Sequence, residues 1–277
     1  MSPMNNRLLV PRKVPGLLDL VPGAAAAYSL RSLSNSYADP VVTVRRSSDD
    51  AEDSFTASEV ADGTLAAFCG AGDGFVYRWW DQSGNARHAV AAADTNEPKI
   101  VDSGVVILND GKPALYFDGI NDQFDLPSIP EISGTNARSI FFIAAAANTT
   151  ERCVWNSEGA SVGRRISMAL NNTTLRFRFF GGTEDVGPIF AAETNLIAYI
   201  LPAPANNANL SSAYIFGVQR PLVNSITLDT TDDHYIGKAA AGTDAMLGTI
   251  QEIIVYPSDL TSQRELIEGN IAWSYSV

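Results

Sequence analysis

The chain has 277 residues, with 19 Lys and Arg against 31 Asp and Glu, and a formal net charge of −12. This balance excludes general binding to nucleic acids, because polyanions are held by clustered cations. A hydrophobic content of 45% and a charged content of 18% predict a folded chain with a substantial core.

Residues 1–22 differ in composition from the rest of the chain. They contain four prolines and the cations Arg7, Arg12 and Lys13, with no acidic residue before Asp19. Proline lacks a backbone donor and blocks helix and ladder hydrogen bonds. We therefore expect an extended anchoring arm that docks on an anionic neighbour such as a partner subunit, or an ordinary frayed terminus.

Two observations bear on where the protein resides. Pro11 and Pro15 interrupt the apolar stretch that a secretory signal peptide needs. The longest apolar run, 140–147, has the length of a strand, whereas roughly 20 apolar residues span a bilayer. The sequence therefore predicts a protein that is made and kept in a cytoplasm unless it is released by lysis, with no signal peptide and no membrane insertion.

Short helices are expected before the strands begin. One covers 24–33, and a second covers 64–68 with Asp62 as its cap. From Phe75 onward, apolar runs separated by Gly, Asn, Asp, Pro and Ser indicate antiparallel strands. These runs are 75–80, 114–117, 139–147, 164–170, 196–201, 213–218 and 249–256.

The segment Thr174-Leu-Arg-Phe-Arg-Phe-Phe180 shows strand alternation most openly. Its apolar side chains point to one face, and Arg176 and Arg178 point to the other. Solvent is the common environment for such arginines, and a carboxylated sugar or an acidic partner is the alternative. A final helix is expected over 262–272, with Ser262 and Glu265 forming a capping box.

Many strands with only peripheral helices predict an all-β fold. We expect a jelly-roll sandwich of two antiparallel sheets over residues 23–277, with short peripheral helices and the extended arm 1–22 beside it.

Two polar loops, 79–88 and 117–124, each follow an aromatic strand. Their side-chain oxygens belong to Asp81, Asn85, Asp118, Asn121 and Asp122. Asp and Asn favour tight turns because their side chains bond nearby backbone amides. The same oxygens could instead bind a glycan or calcium, which takes six to eight oxygen ligands. No other cofactor is expected.

The sequence offers little for other catalytic chemistry. His88 and His234 are the only histidines, and neither lies in a hydrolase or zinc motif. A glycoside hydrolase needs two carboxylates facing each other across a cleft. Glu158, Glu193 and Asp244 lie in loop-like surroundings and are the candidates for such a pair.

Several runs resemble the catalytic module of fungal α-L-arabinofuranosidase B, within the laminin-G-like and concanavalin A-like jelly-roll group. They are Ala27-Tyr-Ser-Leu-Arg-Ser-Leu33, Val44-Arg-Arg-Ser-Ser-Asp-Asp50, Trp80-Asp-Gln-Ser-Gly-Asn85, Lys112-Pro-Ala-Leu-Tyr-Phe-Asp-Gly119 and Leu247-Gly-Thr-Ile-Gln-Glu-Ile-Ile-Val-Tyr256. The resemblance covers most of 24–277 and implies the same sandwich fold.

The resemblance does not extend to the catalytic residues. The family uses a mid-chain Glu nucleophile and a late Asp acid in a Gly-Gly-Asp-Asn run, beside a bond between adjacent cysteines. Here Cys153 has no cysteine neighbour, 166–171 holds no acid, and 236–244 lacks that run. No catalytic residue is carried over, so activity is left open, with a non-enzymatic role favoured.

The opening runs also resemble domains of tailed-phage structural proteins. This similarity implies a virion protein, a tail or surface adhesin that binds a host glycan or braces other virion proteins. The expected state is a homo-oligomer such as a trimer. A capsid decoration protein and an arabinofuranosidase-like glycoside hydrolase are the two alternatives.

Overall fold

The computed structural model describes residues 15–147, 150–158, 165–179, 182–190, 193–202, 211–223, 228, 230–238 and 244–277. Over these ranges the chain is all-β, as predicted, with short helices at the periphery. The helices are α1 Leu17–Leu20, α2 Ala57–Ala61, α3 Thr64–Cys69 and α4 Arg264–Tyr275. None of the described helices has the length and apolar character required to cross a membrane.

The strands are short and follow one another closely along the chain. They are β1 Ala26–Ser29, β2 Val42–Arg46, β3 Glu52–Phe55, β4 Gly74–Trp79, β5 Ala89–Val90, β6 Lys99–Asp102, β7 Val105–Val106, β8 Leu108–Asn109, β9 Lys112–Pro113, β10 Leu115–Asp118, β11 Phe124–Leu126, β12 Arg138–Ala146, β13 Glu151–Ser157, β14 Ile166–Asn171, β15 Thr174–Phe179, β16 Gly182–Pro188, β17 Asn195–Leu201, β18 Ser212–Ile215, β19 Val218–Pro221, β20 His234–Ile236 and β21 Leu247–Tyr256.

Two groups of antiparallel strands form the body of the molecule. In the first, which we call the covered layer, β12 pairs with β17 and β21, and β21 also pairs with β1 and β10. In the second, the polar layer, β16, β15, β14, β13, β20, β11, β5 and β4 are neighbours in that order.

The two layers belong to one hydrogen-bonded network. Strand β6 pairs with β10 of the covered layer and with β4 of the polar layer. The result is a large antiparallel sheet that nearly closes on itself. The expected division into two separate jelly-roll sheets is therefore not what the hydrogen bonding shows.

The covered layer is buried on both faces. Ile140 and Phe142 point into the main core between the layers, while Phe141 and Ile143 point into a second core. The helix α4 completes the second core with Ile267 and other apolar residues. All nine residues of β12 are buried, because alternate side chains enter different cores. This double burial explains the uninterrupted apolar run in the sequence.

The N-terminal segment differs from its predicted form. Leu17–Leu20 is helical rather than extended, and Leu17 and Val21 are buried in the second core. Arg7, Arg12 and Lys13 lie outside the described residues. The division into an arm and a domain therefore remains a prediction.

Two helix predictions need correction, and a third is close. Residues 24–33 contain strand β1 instead of a helix, because all four of its residues are buried along β21 and this pairing overrides local propensity. The last helix begins at Arg264 without a side-chain cap, so the capping box at Ser262 does not form. The helix after Asp62 is present as α3, and Asp62 Oδ1 accepts the Thr64 amide at 3.0 Å.

A buried carboxylate joins β1, β21 and α4. Glu252 is fully buried and accepts the Ser29 hydroxyl at 2.8 Å and the Tyr275 hydroxyl at 3.1 Å. Arg31 donates to both of its oxygens, at 2.8 and 2.9 Å. Because removing one partner of a buried pair leaves the other unsatisfied, this cluster is sensitive to substitution.

We expect Glu252→Gln to lower the free energy of unfolding by about 3 kcal/mol, since Arg31 loses its counter-charge. Urea denaturation monitored by circular dichroism measures the change. Glu265→Gln is the control, because its carboxylate is 89% exposed and its pair with Arg264 should contribute little. Equal stability losses in the two variants would show that the buried cluster does not hold α4.

Candidate functional site

A row of polar side chains crosses the outer face of the polar layer. The alternate positions, including Met168, Phe177 and Ile236, point into the main core. Strand alternation therefore turns their neighbours outward. The register places six of these side by side on successive strands, and we call them the polar row: Thr183, Arg178, Ser167, Asn156, Tyr235 and Asp125.

At one end of the polar row, two arginines of β15, Arg176 and Arg178, form ion pairs with three carboxylates. Arg178 lies 2.7 Å from Glu151 Oε2 and 2.7 Å from Asp244 Oδ2. Arg176 lies 3.2 Å from the same Glu151 oxygen and forms a bidentate pair with Asp185, with both contacts at 2.6 Å. Hydrogen bonding to Asp185 is the largest influence that raises the pKa of Arg176 above its ordinary value. Arg176 therefore stays charged.

The guanidinium of Arg178 limits the separation between Glu151 and Asp244. It contacts each carboxylate at 2.7 Å through a different terminal nitrogen. Because the guanidinium is small and planar, the two contacted oxygens are at most about 8 Å apart. Carboxylate pairs of glycoside hydrolases lie roughly 5 to 9.5 Å apart. This upper limit is compatible with the spacing of such a pair.

The other part of the polar row is a hydrogen-bonded chain. Ser167 donates to Asn156 Oδ1 at 2.6 Å, and Asn156 Nδ2 donates to Glu158 Oε1 at 3.0 Å. Burial, followed by the nearby charges of Asp233, Asp125 and Glu158, raises the pKa of Tyr235. Tyr235 therefore keeps its proton and can donate a hydrogen bond to a bound hydroxyl group.

The three candidate carboxylates from the sequence analysis lie in different parts of the structure. Glu158 and Asp244 lie at the outer face of the polar layer, whereas Glu193 is exposed before β17 of the covered layer. Glu151 was missed, although it is 6% exposed and contacts both arginines. No sequence signal marks it, because strand β13, which it begins, is not among the predicted strands, and its contacts depend on the register of β13, β14 and β15.

The first polar loop makes structural contacts. Asp81 is buried and accepts the amides of Ala27, Ser83 and Arg87 at 2.8, 2.9 and 3.0 Å. Asn85 Nδ2 donates to the carbonyl of Ala24 and its neighbour at 3.0 Å. These side chains tie the loop to β1, as the turn interpretation expects.

The second polar loop is similar in kind. Asp118 Oδ1 accepts the amides of Ile120 and Asn121 at 2.8 and 3.3 Å. Asp122 is buried, and its Oδ2 accepts the Asp118 amide at 2.8 Å. The Asn121 carbonyl accepts the Asn96 amide group at 2.8 Å. Here too the carboxylates stabilise a turn by accepting its backbone amides.

In the part of the chain that the structure describes, no group of three or more His, Cys, Asp and Glu side chains is arranged so that it could hold a metal ion. Calcium and glycan binding by the two polar loops remain predictions. Cys69 and Cys153 are buried free thiols. His234 is also buried, and its Nδ1 lies 3.0 Å from Ser157 Oγ. Burial lowers the pKa of His234 to about 4, so the ring is neutral at pH 7.

Comparisons with known proteins give structural neighbours only. No family model matches the chain, and no curated protein sequence matches it. An arabinofuranosidase complexed with arabinofuranosyl-α-1,2-xylobiose superposes with a TM-score of 0.69 at 16% identity, over 90% of this chain and 62% of that one. A GH54 α-L-arabinofuranosidase soaked with a cyclic sulfate inhibitor gives 0.67 at 16% identity with the same coverage.

A more distant neighbour is Trypanosoma rangeli sialidase in complex with the inhibitor DANA. Its TM-score is 0.50 at 14% identity, over 72% of this chain and 31% of that one. At such identities the similarity shows the fold alone. The chain spans about three fifths of the length of the arabinofuranosidases it matches.

These neighbours overturn the prediction of a non-enzymatic virion protein, whether a tail adhesin or a capsid decoration protein. They are glycosidases, crystallised with substrate or inhibitor, and nothing among them points to a phage particle or to a laminin-G type. The opening runs that suggested a phage protein contribute to strands β1 and β2. They therefore report the fold that the chain shares with arabinofuranosidases and carry no information about a virion.

Asp122 makes stability depend on pH. Burial is the main cause that raises its pKa to about 7, against an unfolded value near 4. Between these values the folded state retains a proton that the unfolded state has released. This contribution to stability is therefore complete below about pH 4 and is lost as the pH rises through 7.

We expect Asp122→Asn to flatten the fall in unfolding free energy between pH 4 and 8, because Asn carries no charge and can still accept the Asp118 amide. Urea denaturation at a series of pH values measures this slope. Ile120→Ala, in the same loop and 75% exposed in the native chain, should retain the wild-type slope. Parallel curves for Asp122→Asn and wild type would contradict the assignment of this pH dependence to Asp122.

Calcium titration of the wild type tests the metal prediction separately, since a bound ion raises the urea concentration at the midpoint of unfolding.

Proposed function

We propose that the chain is a glycoside hydrolase that binds its substrate on the outer face of the polar layer and uses Glu151 and Asp244 as its carboxylate pair. The observation that carries this proposal is that one guanidinium, Arg178, contacts both carboxylates. The similar structures are arabinofuranosidases, which makes a furanoside of arabinose the first substrate class to test. The match covers only 62% of the arabinofuranosidase chains, so their activity is carried to this chain as a proposal.

The surroundings of the two carboxylates differ in a way that suits different roles. Glu151 contacts two guanidinium groups and its side chain is 6% exposed, so its negative charge is stabilised in a shielded place. Asp244 contacts Arg178 and its side chain is 15% exposed. We assign Glu151 as the carboxylate that faces the anomeric carbon and Asp244 as the acid that protonates the leaving oxygen.

Tyr235, another member of the polar row, would position the sugar. It is half-buried and presents a ring and a hydroxyl, which bind sugar faces through ring contact and sugar hydroxyls through hydrogen bonds. Asn156 and Ser167 are buried beside it, and the hydrogen bond between them holds this part of the face in place. Arg178 acts as a positioning residue, since it holds both carboxylates in place without being a proton donor at neutral pH.

A second candidate function is glycan binding without hydrolysis. The same ion pairs that place the carboxylates also occupy them, and a general acid must be free to carry a proton. If substrate does not displace Arg178 from Asp244, the face binds a glycan and leaves it intact.

We expect Glu151→Gln and Asp244→Asn each to lower kcat on arabinofuranosyl-α-1,2-xylobiose by about 10²–10⁴-fold. The first variant lacks the carboxylate at the anomeric carbon, and the second lacks the proton donor that a sugar leaving group needs. Release of arabinose measures the rate. Asp185→Asn is the matched control: it also pairs with an arginine of β15, but its partner is Arg176. Its rate should stay within about threefold of wild type.

Calorimetry with an arabinoxylan oligosaccharide separates the two candidates. Hydrolysis by the wild type that disappears in both variants supports the hydrolase. Binding without turnover supports the second candidate. Full activity in Glu151→Gln would show that the pair lies elsewhere, and Glu158→Gln then tests the next carboxylate along the polar row.

A further inference from the structure

A cavity lies on the side of the molecule away from the polar layer. Its volume is about 440 Å³, and it is bounded by α4, α2, β9, the residues that precede α1 and the segment that follows β1. The apolar part of its wall includes Trp273, Tyr275 and Pro113, and its polar part includes Arg31, Lys112 and Asn270. Because α4 packs on the face of the covered layer that points away from the polar layer, this cavity is separate from the Glu151 and Asp244 site.

Trp273 is the distinctive group of this cavity. Its neighbours on α4, Ile267 and Ile271, are buried in the second core, whereas Trp273 is 69% exposed. A single exposed apolar residue is ordinary on a protein surface. An indole that forms the wall of a cavity with amide, hydroxyl and cationic groups around it is instead the arrangement that receives a sugar ring.

The positive charge of the cavity lining favours an acidic sugar over a neutral one. None of the described residues that line the cavity is acidic, although the whole chain carries a net charge of −12. Arg31 is held rigidly, since it forms a bidentate pair with buried Glu252 and lies 5.8 Å from the centre of the Tyr275 ring. Lys112 forms no ion pair with a described carboxylate, so its charge is left for a ligand.

We propose that this cavity binds an acidic sugar, a uronic acid unit of a polysaccharide. The sugar ring lies against Trp273 and its carboxylate faces Lys112, with the fixed edge of Arg31 beside it. The volume falls within the range of small-molecule sites, and one or two sugar rings fit it. The site goes beyond the proposed hydrolase function, because it would hold an acidic polysaccharide on the protein without cleaving it.

Binding of trigalacturonic acid and of neutral xylotriose to the full chain tests the proposal, by calorimetry and tryptophan fluorescence. Trp79 and Trp155 are fully buried and Trp80 is partly buried, so quenching that disappears in Trp273→Ala is the signal of the exposed Trp273. At low salt we expect the acidic trisaccharide to bind about 10-fold more tightly than the neutral one, a preference that salt weakens.

Variants assign the contacts. Trp273→Ala should weaken the acidic ligand about 10-fold, since it removes the stacking surface. Lys112→Gln should weaken the acidic ligand about threefold to fivefold and leave the neutral one unchanged. Phe190→Ala is the control, because this side chain is also exposed, at 56%, but lies before β17 and outside the cavity.

Two results would overturn the proposal: equal affinity for the acidic and neutral sugars, or unchanged affinity in Trp273→Ala whose circular dichroism matches wild type. The outcome for the hydrolase proposal does not depend on these results. Glu151→Gln should lose turnover of the arabinoside and keep its affinity for trigalacturonic acid.

Discussion

The burial of the covered layer on both faces is the constraint on which the rest of the structure depends. One face of β12, β17 and β21 packs against the polar layer, and the other packs against α4 and α1. Removing this much apolar surface from water supplies the main driving force for folding. With both faces of the covered layer occupied, the outer face of the polar layer is left for polar side chains and for a ligand.

Electrostatics then organise that outer face. The arginines of β15 contact carboxylates of three other segments, at Glu151, Asp185 and Asp244, instead of standing in solvent. Partly shielded ion pairs that share partners hold each group in a fixed place more firmly than isolated surface pairs do. The same contacts that position a carboxylate pair also restrain it, and under the proposed function this balance decides between hydrolysis and simple glycan binding.

The polar loops illustrate how one composition serves two purposes. Asp81 and Asp118 carry the oxygens that calcium prefers, and they are equally suited to capping backbone amides. In the folded chain their oxygens accept amides from within their own loops, and Asp81 also accepts the amide of Ala27, which is distant in sequence. Residue type alone does not separate these uses, because the choice depends on which backbone groups are brought near.

The sequence by itself determined the all-β class, eight of the strands from β4 onward, among them β12, β15 and β21, and the inward face of β15. These features follow from local alternation and from the cost of exposing apolar groups. The tertiary structure decided that 26–29 is a strand, that α1 packs on the second core, and that Glu151 and Asp244 meet at Arg178. Those outcomes depend on register and on contacts between distant segments, which no local pattern encodes.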